Sequence, residues 1–413
     1  MTPSLTSSVI CGVRVAGGPL RGFIAPYRAK LEALGYVRGM VLYHLRNVAK
    51  FDLWLLRRKL RLAGIDEQIV DRFLDQLRAK HPKVSRGAPS ALRQFLTLLR
   101  DAHVVAPKRE VVACHPAQRL SGRYRDFLRG ERGLDRATIG NYSRHVDRFL
   151  VEHYGTGRVN LRALRTSDIT TFVRRHAPRF GRGWAAQMVT GLRSFFRFAR
   201  YKGLIATDLA AVVPPVANWA LAGLPKYLPP GAVPRVLGAC DQSIVKGKRD
   251  YAILLLLSRL GLRAGEIVAL RLEDIDWANA ELSVRSKKGD GWARMPLPAD
   301  VGQAVARYLE VRPRSPYRNV FVRDYAPYTP FAASGPVSVL VKKAILRASV
   351  KSARTGAHVF RHTLATEMLR RGASLDEIGR VLRHKDPDTT AIYAKVDVEA
   401  LRELALPWPG GAR

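Results

Sequence analysis

Apolar residues recur every three or four positions through most of this chain, the period of helices with one buried face. Between residues 21 and 105, Val41, Leu45, Val48, Phe51 and Leu55 share a face, and IDEQIVDRFLDQL and SALRQFLTLLRDA continue the period. Residues 1–20 are small and patternless and predict an irregular N-terminus. A Pro- and charge-bearing connector, VAPKREVVACHPAQR, occupies about 106–119 and reads as a linker. The pattern then repeats. LDRATIGNYSRHVDRFLVEHYG places Ile139, Tyr142, Val146, Phe149 and Leu150 on one face, SDITTFVRRH answers DEQIVDRFLDQL, and GLRSFFRFARYKGLI answers ALRQFLTLLRDAHVV. Arg46 aligns with Arg144 and Phe51 with Phe149. Leu92, Arg93 and Phe95 align with Leu192, Arg193 and Phe195 at an offset two residues larger. Two small all-helical modules, 21–105 and 120–212, are expected, related as a repeat.

A second Pro- and Gly-rich linker, 213–232, precedes a C-terminal domain at 233–413. There VPRVLGACD and RDYAILLLLSRLGL read as helices, and RAGEIVALRLEDID as a helix ending near Asp274. ELSVRSKKGDGWARMPLP alternates and turns at KKGDG, which predicts a β-hairpin. VGQAVARYLEVR and VSVLVKKAILRAS return to helix. The stretch TGAHVFRHTLATEMLRRGASLDEIGRVLRHKDPDTTAIYAKV reads as helix, turn, helix, turn, helix. Asp386 is placed to cap the last helix and Pro387 to open it, which puts Tyr393 about two turns in. The fold class is mainly α: two small all-helical N-terminal modules and a mixed, mostly-α C-terminal domain with a small β-sheet.

Charge narrows the function. Over 413 residues, 70 Lys and Arg against 34 Asp and Glu leave +36, the footprint of a protein that lies along a polyanion. The basic residues run through segments with helical cores rather than one solvated tail, which favours nucleic acid over a membrane surface. Cys11, Cys114 and Cys240 are far apart and form neither a disulfide framework nor a metal-ligand pair, so a reducing interior is expected. YAILLLLSRLGL is too short to span a membrane, and the N-terminus lacks the basic region of a signal peptide. The expected location is cytoplasmic and nucleoid-associated.

The candidate chemistry is concentrated near the C-terminus. His358 and Arg361, three apart, point to one site if Val359 to Arg370 is helical; His384 and Tyr393 follow. By itself this stretch also fits a helix-turn-helix whose second helix enters a major groove. Upstream, Arg263 follows a buried apolar helix, Glu266 lies three residues later, and Lys288 sits at the hairpin turn. Arg, hairpin Lys, HxxR, His and Tyr in this order, in the blocks GLRAGEI, KKG with MPLP, HVFRHTLAT, VLRHKD and TTAIYAKV, resemble the tyrosine recombinase (phage integrase) family, most closely its Xer-type members. The resemblance covers about 120–405. It implies that Arg263, Lys288, His358, Arg361, His384 and Tyr393 hold the catalytic positions and that 120–210 is a core-binding domain. The spacing from Lys288 to His358 disfavours the integron subgroup. The first hundred residues depart from a compact Xer-type chain, and an added DNA-binding module there points to a mobile-element recombinase.

The residues suit that chemistry. Two guanidinium forks, Arg263 and Arg361, can clamp the non-bridging oxygens of a phosphodiester. His358 can accept the tyrosine proton or hold the phosphate, His384 can donate to a phosphate oxygen, and Lys288 can protonate the leaving 5′-hydroxyl. Attack by Tyr393 would store the bond as a 3′-phosphotyrosyl link. Neither metal nor cofactor is expected. Glu266 reads equally as an orienting group or a simple ion pair. Arg46, Arg144 and Arg193 are the candidate DNA contacts on the modules. The partners the resemblance implies are double-stranded DNA with inverted half-sites, a homodimer on each site, a homotetramer in the synapse, and other recombinases of the same element. A tail helix through Val398, Leu401 and Leu404 would either dock on a neighbouring subunit, as the resemblance implies, or fold back on its own domain. The competing readings are a type IB topoisomerase and a catalytically silent DNA-binding protein.

Overall fold

The computed structural model describes residues 8–10, 12–15, 17–80, 87–107, 115–179, 181–216, 226–285, 291–384 and 386–396. Its contacts group the chain into two units, Met1–Pro107 with Leu224–Arg413, and Lys108–Gly223. Lys288 and the expected tail helix lie outside the described residues, as do Cys11 and Cys114. Among the described residues, no helix is long and apolar enough to cross a membrane. Cys240 is a buried free thiol.

The N-terminal part of the first unit corrects one expectation. Residues foreseen as irregular form a short antiparallel pair, β1 (Ser8–Ile10) and β2 (Val13–Val15). The chain is then tied down by Asp52, whose carboxylate accepts the Leu20 N–H at 2.7 Å. Helices α1 (Ile24–Ala33), α2 (Arg38–Arg57), α3 (Glu67–Lys80) and α4 (Ala88–Asp101) follow, and Leu31, Leu45, Phe51, Leu92 and Phe95 close a shared core. At its centre the Tyr27 hydroxyl donates to the Ala91 carbonyl at 3.0 Å and lies 2.8 Å from His44 Nδ1. A hydroxyl has one proton to give, so His44 must donate from Nδ1.

The second unit comprises α5 (Pro116–Gly130), α6 (Arg136–Tyr154), α7 (Thr166–His176), α8 (Arg182–Tyr201) and the short α9 (Leu209–Val212). The Asp135 side chain caps α6 by accepting from the Ala137 and Thr138 amides. Phe149, Leu192 and Phe195 are buried as their counterparts Phe51, Leu92 and Phe95 are. The likeness extends to a bond the sequence did not suggest: the Tyr124 hydroxyl donates to the Gly191 carbonyl at 3.4 Å, one residue before Leu192, as Tyr27 donates to Ala91, one residue before Leu92.

The C-terminal part is built on α11 (Val245–Arg259), which follows α10 (Ala232–Gly238) and is apolar all round from Ala252 to Leu257, as a helix enclosed by others must be. After α12 (Ala264–Ala269), a three-stranded antiparallel sheet of β3 (Ile275–Asp276), β4 (Glu281–Arg285) and β5 (Trp292–Pro296) pairs Glu281 with Pro296 and Arg285 with Trp292. Helices α13 (Ala299–Val311), α14 (Gly335–Arg347), α15 (His358–Arg370), α16 (Leu375–Leu382) and α17 (Asp388–Ala391) complete it.

Three details differ from the expectation. The helix foreseen to reach Asp274 stops at Ala269, because the Asp274 carboxylate accepts the Arg271 amide at 2.8 Å and the Leu272 amide turns outward to the Arg318 carbonyl. The last helix is a single turn. Asp386 does accept from the Asp388 amide, but the chain then tightens, with Tyr393 N–H donating to Thr390 O, three residues back, and a 3-10 turn follows at Ala394–Val396. Tyr393 thus stands just beyond α17, not two turns into a helix. Finally, Leu228, expected in the linker, is buried in the C-terminal core, and its amide donates to Thr363 Oγ1 at 2.9 Å.

Candidate active site

The site begins where α11 ends. Gly261 has φ +58°, and a Cβ there would lie 2.7 Å from Leu382 Cδ2 and 3.1 Å from Leu364 Cδ2, so both conformation and space call for glycine. Its carbonyl accepts from Arg361 Nη1 at 2.6 Å. Two residues on, Arg263 occupies the N-cap of α12 and Glu266 its third position. One Glu266 oxygen accepts from Arg263 Nη1 at 2.9 Å, and the other accepts the Arg263 amide at 2.8 Å and Arg383 Nη2 at 2.9 Å.

Helix α15 supplies the second group. His358 stands at its first turn and opens to solvent on one edge. Arg361 is buried, and its other nitrogen, Nη2, donates to the Leu382 carbonyl at the end of α16. Its guanidinium thus fastens α15 to both the α11 end and the α16 end. One residue later, His362 Nδ1 lies 2.9 Å from the Tyr393 hydroxyl.

The third group follows α16, whose start is fixed by a reciprocal Ser374–Glu377 capping box. Arg383 closes this helix in the left-handed region, φ 54°, and reaches back to Glu266. His384 follows, and its Nδ1 lies 2.7 Å from Thr390 Oγ1 on α17. Tyr393 is 1% exposed. Its ring lies parallel to that of His384, with centroids 6.5 Å apart.

Arg263, Glu266, Arg361, His384 and Tyr393 are therefore drawn into one site, with His358 at its edge; Lys288 falls between β4 and β5 in sequence, outside the described residues. Sequence reasoning missed two members. His362 could have been found as the i+4 neighbour of His358, on the same face of the helix. Arg383 had no such signal, because its place depends on a left-handed residue. Of the candidate DNA contacts, Arg46 and Arg144 are exposed on α2 and α6. Arg193 departs from the expectation: it is half-buried, and its Nη2 donates to the Val213 carbonyl at 2.8 Å, strapping α8 to the end of α9.

Residues 226–400 match the model of the phage integrase family, and residues 122–203 that of the phage integrase N-terminal SAM-like domain. A Sinorhizobium fredii protein named as an integrase/recombinase is 42% identical over 398 residues, 96% of each chain. The chain belongs to the phage integrase (tyrosine recombinase) family. The tyrosine recombinase XerD of Listeria monocytogenes is 31% identical over 288 residues, 67% of this recombinase and 94% of XerD. In fold, the recombinase resembles the XerH site-specific recombinase bound to its difH substrate, with TM-score 0.56 and 18% identity over 69% of this chain and 83% of that one. A lambda integrase dimer bound to a core site gives TM-score 0.53 and 17% identity, covering 67% and 94%.

Within the recombinase site, charge is unevenly supplied. Three guanidiniums share the site with one buried carboxylate, which pairs with two of them, Arg263 and Arg383. Burial, then the charges of Arg263 and Arg383, pull the Arg361 pKa down to about 9, so it remains a cation at neutral pH with little to offset it. Glu266 carries that compensation. Glu266→Ala should lower stability by about 2–3 kcal/mol, because it leaves the mostly buried Arg383 and the half-exposed Arg263 without a carboxylate to balance their charge; a thermal melt of the full chain that matched the wild type would contradict this.

Three histidines in the recombinase, His145, His362 and His384, are held neutral. Burial, followed by neighbouring cations, lowers His362 and His384 to about 4, and burial with Arg144 and Arg148 does the same to His145. Unfolded, each titrates near 6.5. The unfolded chain therefore binds protons first as pH falls. The stability these groups contribute is fully present above about pH 6.5 and declines toward pH 4, by about 1.4 kcal/mol per pH unit for each histidine. Urea midpoints should accordingly be lower at pH 5 than at pH 7.

Proposed function

We propose that this tyrosine recombinase cuts and rejoins specific DNA strands of a mobile element through Tyr393. The observation that carries the reading is a cluster of three arginines served by one carboxylate: Arg263 and Arg383 both bind Glu266, while Arg361, held by backbone carbonyls, lies near enough to feel their charges, beside a buried tyrosine. Such a site is short of negative charge. A phosphodiester would supply it, held between the free faces of Arg263 and Arg361 so that the charge growing on its non-bridging oxygens meets fixed donors. Thr390 at Nδ1 orients His384 to donate from its other nitrogen to the phosphate, and His358 holds the phosphate from the edge. Lys288 protonates the departing 5′-oxygen. The bond is conserved as a phosphotyrosine, so religation by another 5′-hydroxyl needs no external energy source.

The N-terminal module is read as a second DNA-binding module. It repeats the buried aromatics and the tyrosine-to-carbonyl bond of the core-binding unit, and residues 21–105 carry 17 Lys and Arg against 7 Asp and Glu, an excess that favours phosphate contact. Arg46 and Arg144 are the contacts expected on the two modules. Solved relatives of the same fold include lambda integrase as a dimer on a core site and as a tetramer on a Holliday junction. A homodimer on inverted half-sites and a homotetramer in the synapse are proposed here in the same way, with action on DNA in the cytoplasm.

The test is covalent trapping. The full chain is incubated in EDTA with nicked suicide duplexes taken from the DNA flanking its gene, and any adduct is digested and mapped. The expected result is a sequence-dependent adduct on the peptide containing Tyr393. Tight, salt-sensitive binding without an adduct on any flank would favour a silent DNA-binding protein; sequence-independent relaxation of supercoils would favour a topoisomerase.

A further inference from the structure

We propose that His362 is the general base for the nucleophile: its neutral imidazole takes the Tyr393 hydroxyl proton on Nδ1 as the phenolic oxygen bonds to phosphorus. This rests on the reading of Tyr393 as the nucleophile. In the step, the Oη–P bond forms, the P–O5′ bond breaks, and the proton passes from Oη to His362 Nδ1. The departing 5′-oxygen receives a different proton, from Lys288 in the function proposed above.

The geometry singles out this residue among the described ones. His362 Nδ1 is 2.9 Å from the hydroxyl, within the range for a base to accept directly. Tyr393 is almost wholly enclosed, and His362 is the group that meets its hydroxyl there. His384 has its Nδ1 engaged by Thr390, and its ring lies alongside the tyrosine ring rather than at the hydroxyl. His358, to which the sequence assigned proton acceptance as one of two roles, has its ring centroid 6.5 Å from that of His362, one helical turn away, and contact with the hydroxyl falls to His362.

The surroundings keep the base ready. His358 and Arg361 face His362 from its own helix, Arg354 from the segment before it, and Tyr393 and His384 from across the site. Burial first, and then these neighbours, disfavour the imidazolium, so the Nδ1 lone pair is open at neutral pH. Burial also raises the Tyr393 hydroxyl, to about 12. The proton therefore stays on the tyrosine at rest and moves only once bonding to phosphorus acidifies the oxygen, so the enclosed hydroxyl is not a standing phenolate.

The experiment measures single-turnover adduct formation by the full chain between about pH 5.5 and 9.5, on suicide duplexes with a sulfur at the bridging 5′ position, a leaving group that needs no proton. The wild-type rate should be nearly flat. His362→Gln keeps a hydrogen-bond acceptor but cannot carry the proton; it should react at least about 100-fold more slowly at neutral pH and gain roughly tenfold per pH unit as the tyrosine ionises directly. Added imidazole should restore part of the rate to His362→Ala. A wild-type rate that itself climbs with pH in that manner would overturn the proposal without any variant. So would a glutamine variant with a flat profile and near-wild-type rate. Adduct formation by a Tyr393→Phe control would instead overturn the nucleophile assignment.

Discussion

Tyr393→Phe should abolish the covalent protein–DNA adduct and leave the fold intact. The ring fills a small cluster with Ala365, Ile378 and Leu382, and phenylalanine fills it equally well. Only the hydroxyl contact with His362 disappears, a loss of about 1 kcal/mol in stability. No neighbouring group can substitute as nucleophile in the same geometry, so the loss of cleavage should be complete while salt-dependent DNA affinity is unchanged. Gel-shift titration beside denaturing gels would show both. Residual adduct at the wild-type position would mean that another residue attacks.

Arg361→Lys should reduce strand cleavage by about 10³-fold although the charge is retained. Arg361 is a bridge as well as a cation: two of its nitrogens are engaged by the Gly261 and Leu382 carbonyls, which aims the rest of the fork. A lysine has one nitrogen and cannot reach both carbonyls and a phosphate. At least one buried carbonyl is then left without a donor, at about 1–3 kcal/mol, and the junction between α15 and α16 loosens. Adduct formation at saturating DNA separates this from weakened binding. A loss of less than tenfold would mean that only the charge matters.

Much of this was legible in the sequence. The 3.6-residue period located α2, α6 and α15, a continuous apolar run located α11, and the order from Arg263 to Tyr393 pointed to the family because each residue type suits a distinct step of the expected chemistry. What was illegible depended on local competition. Residues 270–274 are good helix formers, yet the Asp274 carboxylate and the Arg318 carbonyl claim the amides a longer helix would need. Arg193 matched Arg93 in the repeat, but its use is decided by the Val213 carbonyl, which belongs to an element the repeat does not predict. Arg383 was invisible because its reach to Glu266 follows from a backbone angle that favours glycine.

The one-turn α17 has a consequence for how cooperatively the site is held. Tyr393, Ile378, Leu382 and Ala365 form an apolar cluster separate from the larger one around α11. Because such satellite clusters open at lower free energy than a main core, amides from Thr389 to Tyr393 should exchange with solvent deuterium faster than those in the middle of α11. The tyrosine proposed as the nucleophile is thus carried on a part of the molecule that can unlatch by itself, and the free energy for moving it is set by a few contacts rather than by the whole domain.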